Sequence, residues 1–126
     1  MTIKKFKIMK HTEQYCKDLL KKVIEDLERQ RGKEYYDKKA PFETYFHKDK
    51  ENLFDGRIIK NCWLAYAKVP KDGWKGGNII IYIDDDTGKA LTFVNTALGG
   101  RPITFPLKID NEDKHYIDPD YLPTID

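Results

Sequence analysis

With 23 Lys or Arg against 21 Asp or Glu, 40% hydrophobic and 35% charged residues, this 126-residue chain of net charge +2 has the composition of one globular domain with a heavily charged surface. Its 8 Gly and 6 Pro weigh against disorder, and no run approaches the roughly 20 apolar residues of a membrane helix or the apolar core of a secretory leader. Cys16 and Cys62 lie far apart among apolar neighbours, too few for a disulfide scaffold, so two reduced, buried thiols in a cytoplasmic protein are expected.

Charge is graded along the chain, from +5 over residues 1–39 through +2 over 40–108 to −5 over 109–126. Solvated surface is the ordinary meaning of such a gradient, with partner surfaces the alternative. Thr12 can cap a helix and Glu13 suits its first turn; Cys16, Leu19, Leu20, Val23, Ile24 and Leu27 then recur at helical spacing. Asp18 with Lys22 and Glu25 with Arg29 are acid-before-base pairs four apart, and Gly32 can end the element, so a helix over residues 12–31 is predicted.

Beyond Pro41 the pattern changes to strand and turn. A short aromatic strand over 42–46 precedes a charged stretch, 48–61, with a turn signal at Asp55-Gly56; a strand over 62–69 is closed by Pro70. Gly73 and Gly76-Gly77 bracket a loop containing Trp74, and residues 78–83 form the clearest strand, whose run of four Ile and Tyr82 needs cover on both faces. Residues 84–88 make a hairpin bend before strand character resumes over 90–96. Residues 103–109 alternate around Pro106, as an edge strand would, and 110–126 read as an irregular tail pinned by Tyr116, Ile117, Tyr121 and Leu122. The expectation is a single α+β domain over 1–126, an N-terminal helix on a curved antiparallel sheet spanning about 42–109.

No catalytic, cofactor or metal constellation emerges. Asp84-Asp85-Asp86-Thr87-Gly88 resembles the start of a calcium loop, but no acidic residue follows to close it, and a solvated hairpin tip is the reading kept. The paired glycines lack the Lys and Ser/Thr of a phosphate loop, and His11, His47 and His115 show no ligand spacing with the cysteines. A Cys62–His47 nucleophilic pair would have to meet in space, and Cys62 opens a strand where a buried thiol is inert. Lys4, Lys5, Lys7 and Lys10 beside Phe6 could face nucleic acid, yet Asp18, Glu25, Asp26 and Glu28 on the following helix oppose phosphate. Trp63 reads as core, whereas Trp74, in a turn, reads as a binding anchor or a lid on a neighbouring loop.

The order of features resembles the NTF2-fold immunity proteins of bacterial polymorphic toxin systems. The residues that carry it run from 19–27 in the helix through Tyr35, Tyr36, Pro41, Phe42, Trp63, Gly76, Gly77 and the 79–83 strand to Gly88, Lys89 and Leu91. The longer 48–61 segment and the 101–126 extension depart from that pattern. The resemblance implies an NTF2-like or cystatin-like fold and a non-catalytic protein without cofactor or metal. Such a protein binds and neutralises a cognate toxin in the cytoplasm. On that reading Trp74, Asp84, Asp85, Asp86, Asp110, Glu112 and Asp113 form the partner surface, and its acidic charge would suit a basic toxin such as a nuclease. A small-ligand-binding domain or a homodimerising structural module are the alternatives, with neither membrane nor nucleic acid as partner.

Overall fold

The computed structural model of the protein describes residues 9–31, 36–72, 75–96 and 103–121. Helix α1 (Glu13–Arg31) begins where the sequence places it, with Thr12 as cap: its Oγ1 accepts the amide of Tyr15 at 3.0 Å. Cys16, Leu20, Val23, Ile24 and Leu27 line one face and are fully buried. Each such side chain contributes roughly 1.5–3 kcal/mol relative to leaving it in water, which outweighs the helix's modest intrinsic propensity.

Five strands follow as an antiparallel meander in the spatial order of the chain: β1 (Glu43–Glu51), β2 (Ile58–Asp72), β3 (Lys75–Asp84), β4 (Lys89–Asn95) and β5 (Ile103–Pro106). Trp63 pairs with Ile83, Ala65 with Ile81 and Ala67 with Ile79, and these six side chains belong to the core that α1 completes. The two alanines keep the middle of that face shallow. A register shift after Tyr82 leaves Leu91 as an extra residue in β4, so Ala90 and Phe93 both join the helix-side core despite their odd spacing.

The opposite face holds a second buried cluster, Ile59, Cys62, Leu64, Tyr82 and Val94. The predicted need for cover on both faces of the isoleucine strand is met in part: the helix covers one face, while Tyr66 and Ile80 on the other stay partly buried and the β1–β2 turn reaches β4 through Asn52. Buried Asn52 fixes that turn: its Oδ1 accepts the amide of Phe54 at 3.0 Å and the hydroxyl of Thr92 in β4 at 2.9 Å. Its carbonyl accepts the amide of Gly56 at 2.8 Å, and Gly56 takes φ +76°, where a side chain is disfavoured.

Several expectations change. The second strand starts at Ile58 and runs through Pro70 to Asp72 instead of ending before the proline, and Gly76-Gly77 lie within β3 instead of in a loop. The first strand extends to Glu51 instead of ending at Phe46, because an edge strand needs pairing more than burial and tolerates charge along its length. The sheet is not strongly curled; curling takes repeated bulges, and the described ladders shift register only after Val69 and after Tyr82. The irregular tail includes a two-stranded ladder, β6 (Lys108–Ile109) with β7 (His115–Tyr116), then a 3-10 turn at Pro119–Tyr121. Buried Ile117 ties this region to α1, its amide donating to Gln30 Oε1 at 3.2 Å and its carbonyl accepting from Gln30 Nε2 at 2.9 Å. Pro106 ends the edge strand β5, as its missing N–H requires. Among the described residues no helix is long and apolar enough to cross a membrane.

Candidate functional site at the acidic end of the sheet

The acidic hairpin bend predicted at 84–88 joins β3 to β4, but its three aspartates do different work. Asp84 Oδ1 accepts the amide of Asp86 at 2.9 Å, so its carboxylate shapes the turn. Asp85 is not solvated at all: it is 0% exposed. Its carboxylate accepts the amides of Lys10 at 2.6 Å and His11 at 2.9 Å and the Trp63 indole N–H at 3.1 Å. His11 Nδ1 approaches the Asp85 carbonyl at 2.9 Å and its Oδ1 at 3.3 Å, so this nitrogen carries a proton. The wide gap between hydrogen-bond donors in sequence hid this arrangement, in which Trp63 is core and the acid's anchor at once. Asp86 remains at the surface, 3.3 Å from Asn61 Nδ2 and 3.6 Å from Lys10 Nζ.

Gly88 closes the turn at φ +75°, and Tyr15 Oη donates to its carbonyl at 2.6 Å. A Cβ there would stand 2.6 Å from His11 Nε2 and 2.8 Å from Tyr15 Oη, so the approach of α1's start to the turn requires glycine.

The second acidic segment folds into the β6–β7 turn. Asp110 Oδ1 accepts the amides of Glu112 at 2.8 Å and Lys114 at 3.0 Å, again shaping a turn, while Glu112 and Asp113 are exposed. Asp113 adopts φ +64°, and its carbonyl accepts a hydrogen bond from Lys22 Nζ. The structure therefore brings both acidic turns to one end of the molecule. Between them, against the first half of α1, runs a groove of about 400 Å³ floored by Tyr15, Leu19, Ala90 and Ile109. Trp74 lies outside the described residues.

On the other side of the β3–β4 turn is a recess of about 450 Å³, lined by Phe54, Ile58, Leu91, Pro106, Asp84 and Asp86. Sequence reasoning passed over its rim. Ile58, at the start of β2, is 60% exposed, and Leu53, in the turn that Asn52 fixes, is 54% exposed. The apolar residues flanking the Asp55-Gly56 turn signal were the available clue.

Beneath the groove lies a buried cluster that no spacing rule suggested. Asp26 Oδ2 accepts the His115 amide at 3.0 Å, His115 Nδ1 at 3.1 Å and Lys22 Nζ at 2.9 Å, while Arg29 stands 3.9 Å from Oδ1. Burial works to raise the Asp26 pKa, but the His115 amide, Lys22 and the His115 ring together hold it below the ordinary value. His115 is 4% exposed, and burial pushes its pKa below 6.5 against the pull of Asp26. Neutral His115 thus donates a hydrogen bond from Nδ1–H to the Asp26 carboxylate and leaves Nε2 as an acceptor.

Cys62 and His47 meet as cross-strand partners, yet burial pushes the Cys62 thiol up to about 12, where no thiolate forms near neutrality. Burial does the same to Cys16. Among the described residues no three His, Cys, Asp or Glu converge to hold a metal ion. Compared with protein-family models, curated proteins and solved structures, the chain matches none.

Proposed function

We propose that this chain is a non-catalytic binding protein that captures a cognate toxin in the cytoplasm, on the NTF2-like or cystatin-like scaffold that the resemblance implies. One observation chiefly supports this reading: Leu53, in the turn fixed by Asn52, and Ile58, at the start of β2, are large apolar side chains that stand exposed, with Ile58 sharing a recess with the surface carboxylate of Asp86. Exposed apolar anchors on a preorganised element, ringed by charge, are what a specific protein interface needs. The exposed acids Asp86, Glu112 and Asp113 at the same end favour a basic partner, such as a nuclease domain, and would speed its capture.

Growth rescue tests the reading. The neighbouring gene is expected to encode a large protein with a C-terminal toxin domain, and co-expression of this chain to restore growth to cells making that domain. Ile58→Asp and Asp86→Lys should melt like the parent and protect poorly. Protection unchanged by both substitutions, or a neighbouring gene for a metabolic enzyme with no toxin to neutralise, would sink the proposal.

A further inference from the structure

We infer that the groove between α1 and the two acidic turns receives an arginine side chain of the partner, with His115 Nε2 and the Asp113 carboxylate as its hydrogen-bond acceptors. The inference rests on the reading of the chain as a binder of a basic protein, and it names the chemistry of one pocket on that surface.

The decisive observation is a buried polar side chain among the residues that line the groove. His115 lines the groove although it is 4% exposed; its Nδ1 is spent on Asp26, and its Nε2 has no partner among the described residues. A buried acceptor left unsatisfied is costly, so a ligand that brings a donor gains what the fold forgoes. Burial of the ring disfavours an imidazolium, and Lys22 Nζ, 2.9 Å from Asp26, adds to this by already balancing the Asp26 charge. A neutral Nε2 accepts from a cation without repelling it.

The other walls define the rest of the ligand. Leu19, Ala90 and Ile109 offer apolar contact for a methylene stem, and Tyr15 adds an aromatic ring, on whose face a guanidinium can also stack. Two carboxylates and two ammonium groups line the groove, and one of the ammonium groups, Lys22, is paired with buried Asp26. The carboxylates are Asp18 and Asp113; Lys22 also donates to the Asp113 carbonyl, and Lys89 is the remaining ammonium. Guanidinium presents several N–H donors in one plane and stays charged, so one side chain can serve His115 and Asp113 together, which a single compact ammonium does less well.

The isolated chain suffices for the test. Nα-acetyl-argininamide is titrated into labelled protein while the imidazole nitrogen resonances of His115 are followed, with the neutral citrulline analogue as control. A saturable shift at His115 Nε2 is expected, with the citrulline analogue about tenfold weaker for want of charge. Asp113→Asn should weaken arginine binding several-fold while leaving the backbone intact, since Asn accepts the positive φ of this turn. His115→Asn, whose side-chain amide can still donate to Asp26, should abolish the binding without loss of the fold, checked by its melting transition. A His115 resonance that does not move, equal affinity for citrulline, or indifference to Asp113→Asn would overturn the inference. Failure here with toxin protection intact removes only this pocket, whereas arginine binding without any protected toxin removes the proposed function.

Discussion

Two buried aspartates, Asp85 and Asp26, use the same device at different places: each carboxylate takes both the amide N–H and the Nδ1 of a single histidine, His11 in one case and His115 in the other. The neighbours differ. Asp85 is completed by neutral donors, the Trp63 indole and the Lys10 amide, with no ammonium or guanidinium within ion-pair distance among the described residues. Asp26 is completed by Lys22 and Arg29, whose stems reach solvent. A dry anion held by fixed dipoles is a latch, because nothing around it can rearrange. An anion served by mobile cations is adjustable, and leaves its histidine available to a groove.

The largest effect that would break this contrast is on stability. Asp85→Ala strands the buried Trp63 indole and the part-buried donors of Lys10 and His11 and should cost about 4 kcal/mol in urea unfolding, a large share of the stability of a marginal domain. Gly88→Ala tests the same latch from its other side: the left-handed backbone and the crowding by His11 and Tyr15 should together cost about 2–3 kcal/mol. Gly56→Ala shares the positive φ but meets only Glu51 Oε2 at 3.7 Å, so about 1 kcal/mol is expected in the same assay. Asp26→Ala should cost about 2 kcal/mol, less than Asp85→Ala, because Lys22 and Arg29 can turn to water. Equal costs for the two aspartates would erase the distinction.

Acid sharpens it further. The folded pKa of His115 is lowered, so the unfolded chain binds the proton more readily; stability is full above about 6.5 and erodes as pH falls below it. The folded pKa of Asp26 is also lowered, and its contribution, present above about 3.8, is lost as pH falls through the folded value. The smallest predicted effect is therefore a shallow loss of stability as pH falls below about 6.5 that disappears in His115→Asn, measured as unfolding midpoints over a descending pH series.

Most of the sheet was legible in the sequence because its signals are local. The isoleucine run, the Asp-Gly steps and the helical spacing from Cys16 to Leu27 each act within a few residues, and the strands pair with their neighbours in sequence. The site was legible only in outline. That acidic segments would flank a surface followed from charge, but which acids face solvent did not. Asp84 and Asp110 are consumed by their own turns, and Asp85 by donors 22 to 75 residues away. Sequence adjacency makes three aspartates look equivalent. Burial separates them.

The meander has a consequence for the order in which the molecule assembles. Each strand pairs with the next one along the chain, so every hairpin closes a short loop at small entropic cost and forms early. The ties from His11 to Asp85, from Gln30 to Ile117 and from Asp26 to His115 span 74 to 89 residues and can form only once the sheet exists. Amide exchange should thus show the first turn of α1 and the β6–β7 ladder opening before the centre of the sheet. The contacts that tie both ends of the described chain to the sheet and to α1 are expected to be the last to form.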